Sequence, residues 1–134
     1  MTFHLTVVTP EKTIVDTEVD EMIVPTTSGE ITILPHHVAL FTQLAEGELV
    51  MKHNNKSDSL VVVGGFVEVG GKSVTVLADY AAHGKDISAI EAQKAKERAE
   101  KALKEKKSEV DFAIAEAEFR RALLELKVAN KYKR

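Results

Sequence analysis

Two adjacent histidines, His36 and His37, are the first residues whose types suggest chemistry, because imidazole is a common metal ligand. Adjacent side chains point to opposite sides of a strand, and no Glu-x-x-His motif or further histidine stands at ligand spacing. We therefore interpret them as loop histidines and expect no metal site. The Ser, His and Asp residues of the chain form no recognisable nucleophilic motif either, so no catalytic residue is predicted.

The glycine pair Gly64-Gly65 is a second candidate, since glycine-rich turns can bind phosphate groups. No G-x-G-x-x-G pattern surrounds the pair, and no Lys followed by Ser or Thr comes after it. The pair therefore predicts a bulge or a turn, and no cofactor is expected.

Residues 1–84, which must position any such site, have the pattern of strands. Phe3, Leu5 and Val7 alternate with less apolar neighbours, as in a half-buried strand, and similar short segments follow between turn signals. Many short strands, each with one apolar face to bury, favour two packed sheets. The sequence predicts a β-sandwich domain of about ten short strands over residues 1–84.

Residues 85–134 have a helical pattern. Ser88 and Glu91 form a capping box, Ser108 and Asp111 form a second cap, and the spacing predicts helices over about 88–106 and 109–131. We expect the two helices to fold back as an antiparallel hairpin, with many alanines on the faces that meet. The break at Lys106-Lys107-Ser108 contains neither Gly nor Pro, so a partner could convert the pair into one long helix at small cost. The predicted facing positions are Ala92, Ala95, Ala99 and Ala102 in the first helix, and Phe112, Ala115, Phe119, Ala122, Leu126 and Ala129 in the second.

The charge changes sign between these two parts. Residues 1–84 have four Lys and eleven Asp or Glu, a balance of −7, whereas residues 85–134 have fourteen Lys or Arg and ten Asp or Glu, a balance of +4. The Lys and Glu of the helices are interleaved and no aromatic residues are placed to stack bases, so nucleic acid is not an expected partner. No apolar run approaches the roughly 20 residues that span a bilayer, so we expect a soluble protein without direct membrane insertion. The absence of Cys excludes disulfides, thiolate catalysis and Cys-ligated zinc.

Four runs of the chain are distinctive in their order and spacing: Ser28–Leu40 (SGEITILPHHVAL), Gly64–Val69 (GGFVEV), Val74–Asp79 (VTVLAD) and Leu5–Pro10 (LTVVTP). Together they resemble the epsilon subunit of bacterial F-type ATP synthases. The family pattern for the run Ser28–Leu40 is S/E-G-E-x-G-I-L-P-x-H-x-P-L, from which this chain departs at Thr32 and Ala39. The helix with Asp111-Phe and Arg120-Arg-Ala is also similar, so the resemblance covers nearly the whole chain.

The resemblance implies a non-catalytic rotor subunit, monomeric when isolated, on the cytoplasmic face of the bacterial membrane. Its sandwich would contact the gamma subunit and the c-ring, whose rotation is driven by protons or sodium ions, with Glu30 and His37 in the loop that faces the c-ring. Its hairpin would either fold back or extend along gamma and inhibit ATP hydrolysis, with its basic residues against the catalytic alpha and beta subunits. The matching basic positions are Arg120, Arg121, Lys127 and Lys131, with Lys133 and Arg134 as further candidates.

Some relatives bind ATP on the hairpin through a motif of the form I/L-D-x-x-R-A. Here Ser88 stands in place of the Asp and Glu91 in place of the phosphate-facing Arg, and Glu125 occupies a position that is basic in some of those relatives. A carboxylate facing phosphate adds repulsion where a charge-assisted bond would form, so no nucleotide site is predicted. The alternative function is a stand-alone nucleotide-sensing or adaptor module.

Overall fold

The computed structural model describes residues 1–105 and 108–132. The chain divides into two compact units, Met1–His83 and Gly84–Arg134. In the residues described, no helix is both long enough and apolar enough to cross a membrane.

The first unit is built from eight strands. Their order in the hydrogen-bonded sheet is β2-β1-β8-β7-β6-β3-β4, and β5 pairs with β7. Every pair is antiparallel except β1 with β8. The strands are β1 (Phe3–Val8), β2 (Thr13–Val19), β3 (Glu21–Thr26), β4 (Gly29–Ile33), β5 (Leu40–Gln43), β6 (Gly47–His53), β7 (Lys56–Val69) and β8 (Ser73–His83).

Two long strands, β7 and β8, connect the two layers of the sandwich. The first half of β7 pairs with β6 and its last four residues pair with β5, while only the first half of β8 pairs with β1. One layer is therefore β2-β1-β8-β7-β5, and the other is β4-β3-β6-β7-β8. The strands change layer at Gly64 and Gly65, whose φ angles of 64° and 107° bend β7 in a way that other residues rarely adopt.

The core lies between these layers and consists of the side chains on the inward face of each strand. It is almost entirely aliphatic, as expected for strands that bury one face. Its largest fully buried side chains include Leu5, Met22, Ile33, Leu44, Leu49 and Leu60.

The predicted fold class is confirmed, although two details of the strand pattern are wrong. There are eight strands instead of about ten, partly because Gly64-Gly65 does not divide β7. β7 and β8 pair in the same register before and after the two glycines, from Val63 opposite Tyr80 to Gly65 opposite Ala78. Gly64-Gly65 is therefore neither a turn nor a register-shifting bulge. Pairing with β8 before and after the two glycines holds the bent backbone in the sheet.

The second unit contains a short 3₁₀ turn (Gly84–Asp86), α1 (Ala89–Glu105) and α2 (Glu109–Asn130), with the two helices packed as a hairpin. Both predicted caps form: the Ser88 hydroxyl accepts the Glu91 N–H at 3.1 Å, and the Ser108 hydroxyl accepts the Asp111 N–H at 3.0 Å. Of the predicted break, residues 106 and 107 lie outside the described residues.

The hairpin buries fewer of its predicted facing positions than the sequence suggested. Ala92 and Ala99 of α1 are buried, but Ala102 is exposed. In α2, Phe112 is 40% exposed, and Phe119 and Leu126 are half-buried. When two helices pack only against each other, each buries a narrow stripe of its surface. Small side chains within the stripe let the helices approach closely, and the larger side chains lie at the margin of the stripe. The buried alanines of α2 are Ala115, Ala122 and Ala129.

Candidate partner-binding surfaces

Glu30 and His37 lie near one another in sequence but in different kinds of structure. Glu30 is exposed on β4, opposite Pro25 of β3, so the expectation that it lies in a loop is wrong. His37 is half-buried in the loop between β4 and β5, where its N–H donates to the Leu34 carbonyl at 3.1 Å. Strand pairing extends back to Gly29 because the two-residue turn at Thr27 and Ser28 is tight.

The loop that contains His37 is held in an unusual conformation and is partly apolar. His36 has a φ of 67°, which is uncommon for a residue with a Cβ. Nδ1 of His37 lies 2.7 Å from the Val38 carbonyl oxygen, so this ring nitrogen already has a partner. Leu34 and Val38 are 51% and 76% exposed. Among the described residues, no group of three or more His, Asp or Glu could hold a metal ion.

A second surface on the sandwich was not predicted from the sequence. Phe41, Phe66 and Leu77 are 63%, 45% and 51% exposed on the outward face of β5, β7 and β8. The rings of Phe41 and Phe66 stack with their centroids 5.4 Å apart, Phe66 lies opposite Leu77, and Leu77 lies opposite Val8 of β1. These four residues form a continuous strip, here called the outer apolar patch.

Contiguous exposed apolar surface of this kind marks sites where proteins bind one another. The signal was present in the sequence, because Phe66 and Leu77 stand at positions that alternate with the buried Val67 and Val76. Only the pairing of β5, β7, β8 and β1 places the exposed apolar residues side by side.

The basic residues of α2 separate into two groups. Arg120 and Lys127 of α2 and Lys131, which caps its C-terminus in helical conformation, are exposed and lie within about 40° of one another around the helix axis, at about 100° per residue. Arg120 pairs with Glu116 one turn earlier, at 3.4 Å. These three residues form the basic face of α2. Lys133 and Arg134 lie outside the described residues.

Arg121 lies about 100° away from Arg120 and is only half-exposed. Its Nε donates to Glu125 at 3.0 Å, and the Glu125 carboxylate is 22% exposed. This pair stabilises the helix locally. Arg121 is therefore less available to a partner than the basic face, a difference that the adjacent Arg120-Arg121 sequence did not reveal.

Ser88 and Glu91 are both used by α1 itself. The Ser88 hydroxyl accepts the Glu91 N–H, and the Glu91 carboxylate lies 3.9 Å from Lys94. A hydroxyl that caps a helix and a carboxylate at its first turn stabilise the N-terminus, where the helix dipole favours negative charge. The same arrangement opposes a phosphate group.

Models of the ATP synthase delta/epsilon chain match nearly the whole chain: the β-sandwich domain over residues 2–84 and the long α-helix domain over residues 85–130. Among curated proteins, the ATP synthase epsilon chain of Caldanaerobacter subterraneus is 43% identical over 132 residues, which span 98% of this chain and 96% of the relative. The epsilon chain of Nitratidesulfovibrio vulgaris is 42% identical over 125 residues, 93% of each chain.

A solved structure has the same fold. A chain of the Euglena gracilis mitochondrial ATP synthase, from a cryo-EM structure of OSCP, F1 and the c-ring, superposes with a TM-score of 0.84 at 24% identity, over 96% of this chain and 81% of that one. At this identity the likeness supports the fold alone. The two domain models and the curated relatives together establish that this chain belongs to the family of ATP synthase epsilon chains.

Proposed function

We propose that this epsilon chain is a rotor subunit of the central stalk that couples rotation of the c-ring to the catalytic head. Epsilon chains are non-catalytic subunits of the ATP synthase. The observation that favours a docking role is the outer apolar patch, in which Phe41, Phe66 and Leu77 are exposed on three paired strands and whose removal from water would stabilise a complex. We assign this patch to the gamma subunit, and the Glu30 and His37 end of the sandwich to the c-ring.

The hairpin is proposed as the inhibitory element. Its helices meet through alanines, so the contact between them buries little apolar area and is weak. A partner with a few kcal/mol of preference for the extended helices could shift them. The basic face of α2 would supply that preference against an acidic segment of the catalytic beta subunit, on the cytoplasmic side of the bacterial membrane, where the complex would be a peripheral assembly.

Substitution in the outer apolar patch tests the docking role. Leu77→Lys places a charge in the patch without altering the core, because Leu77 is already exposed, and should prevent co-purification with gamma from native membranes. Ile90→Lys is the matched control, since Ile90 is 70% exposed on α1 outside the patch. If both variants assemble normally, the patch is not the docking surface.

Removal of residues 107–134 tests the inhibitory role. The truncated chain should still join the complex, while ATP hydrolysis by that complex should rise. A second variant, Arg120→Glu with Lys127→Glu, should have the same effect with the hairpin present, and the inhibition by the natural chain should weaken in salt. Lys96→Glu with Lys101→Glu on α1 is the charge-matched control. Loss of assembly on truncation would make the hairpin a structural clamp, and unchanged hydrolysis would exclude it as an inhibitor.

A further inference from the structure

The His4 ring lies between two carboxylates of the neighbouring strand. Its Nε2 is hydrogen-bonded to Asp16, and its Nδ1 lies 3.4 Å from Oε1 of Glu18. The β1–β2 register explains this arrangement, since it places His4 opposite Glu18 and Thr6 opposite Asp16 on the outward face. A neutral imidazole has one N–H and can donate to only one carboxylate, whereas the imidazolium donates to both. The geometry therefore fits the charged ring.

The strand that His4 contacts is an edge strand. β2 is the terminal strand of the sheet and pairs only with β1. The β1–β2 register shifts between Val7 and Val8, where Ile14 is left without an opposite residue. Backbone hydrogen bonds join β2 to the sheet on one side only. Side-chain contacts between β1 and β2 therefore matter more for keeping β2 paired than they would for a central strand, which has neighbours on both sides.

Besides Asp16 and Glu18, the residues next to His4 come from β8 and the turn before it. The outward residues of β8 are the uncharged Ser73 and Thr75, and in the turn the backbone carbonyl of Lys72 accepts the backbone N–H of His4 at 3.0 Å. The hydrogen bond with Asp16 raises the pKa of His4 above its ordinary value; partial burial opposes the rise, and Glu18 adds to it. Both facing carboxylates thus favour the protonated ring.

We propose that His4 is a pH-dependent clamp that holds edge strand β2 on the sheet. When the ring is protonated, it joins Asp16 and Glu18 and keeps β2 paired with β1. When the ring loses its proton, one of its nitrogens no longer carries a hydrogen and cannot donate to the carboxylate that it faces. β2 then separates from β1 more often. Because the folded-state pKa of His4 is raised, the clamp is fully effective below the unfolded value of 6.5 and weakens as pH rises through the folded value.

β2 also lines one side of a cavity that is already open to water. The cavity has a volume of about 390 Å³, and its lining includes the apolar Val15, Val19 and Met51 as well as the charged Asp16, Glu18 and Lys52. Met51 is in β6, across the sandwich from β2, so β2 forms one wall of the cavity and β6 another. Separation of β2 from β1 would remove this wall and expose the buried side chains of Val15 and Val19.

Histidine NMR and amide hydrogen exchange of the full chain test the clamp. From pH 5.5 to 8.5, the protection factors of β2 amides, corrected for intrinsic exchange, should fall by about two- to fivefold through the titration of His4, the range for exposed ion pairs. Those of the other edge strand, β4, serve as the internal reference. His4→Gln should remove the pH-dependent difference, and Asp16→Asn should lower the pKa of His4 and reduce the fall.

Two results would overturn the proposal. One is a ratio of β2 to β4 protection that stays constant while His4 titrates. The other is a His4→Gln chain that keeps the natural pH dependence, because a different group would then control β2. If His4→Gln does not fold, Asp16→Asn decides alone, since it leaves the histidine and its titration in place.

Discussion

Nε2 of His83, the last residue of β8, lies 3.1 Å from the carbonyl oxygen of Ile14 in β2. Ile14 is the residue that the irregular β1–β2 register leaves without an opposite partner. The two residues are 69 positions apart, and β8 and β2 are not neighbours in the sheet. The histidine ring thus supplies a hydrogen bond where regular pairing is interrupted, and it connects β2 to a second strand.

Replacement of His83 by Ala should lower the free energy of unfolding by about 1 kcal/mol, since the half-buried Ile14 carbonyl would lose its partner. Urea unfolding at pH 7 measures the change. His83→Gln is the control, because its amide can donate to the same oxygen and should recover part of the loss. Equal losses in the two variants would mean that packing of the ring, and not its hydrogen bond, stabilises the domain.

The bend in β7 makes Gly65 and Gly29 a matched pair. Both have positive φ angles, 107° and 115°, but a Cβ at Gly65 would overlap the Leu77 carbonyl, whereas a Cβ at Gly29 meets nothing within 4 Å. Gly29→Ala should therefore cost about 1–2 kcal/mol, the price of backbone conformation alone. Gly65→Ala should cost about 3 kcal/mol or more, because the strands must also shift. Similar thermal unfolding of the two variants would contradict the close approach of β7 and β8.

Glu30→Ala should change the stability of the isolated chain by less than about 0.5 kcal/mol, since Glu30 is exposed on an edge strand. In the assembled enzyme it should reduce the ion transport obtained per ATP hydrolysed, because we propose that Glu30 faces the c-ring. Thr32→Ala, at another exposed position of the same strand, is the control. A loss of several kcal/mol in the isolated domain would identify Glu30 as a structural residue instead.

ATP at millimolar concentration should not raise the melting temperature of the isolated chain. A micromolar site would stabilise the folded state by about 4 kcal/mol at a thousandfold excess of ligand, which calorimetry detects easily. The comparison is the double variant Ser88→Asp with Glu91→Arg. It keeps an N-cap, because Asp caps helices as well as Ser does, and it adds a side chain that can bind phosphate. Stabilisation of the unmodified chain by ATP would show that the capping interpretation of Ser88 and Glu91 is wrong.

The local sequence determined which part of the chain forms strands, which part forms helices, and where the helices begin. Alternating apolar residues such as Phe3, Leu5 and Val7 predicted a half-buried strand, and Ser88 and Ser108 predicted the helix starts, because periodicity and capping depend only on residues a few positions apart. The fold class was predicted on the same basis. The short motifs, through their order and spacing, also indicated the family.

Only the tertiary structure decided which residues become neighbours. Phe41, Phe66 and Leu77 form a patch, and His4 meets Asp16 and Glu18, because strand pairing and register join segments that are distant in sequence. A one-residue change of register would have turned each strand's side chains to the opposite face. For the same reason β7 continues through Gly64-Gly65, where local preference predicted an interruption: pairing with β8 before and after the two glycines outweighs their conformational freedom.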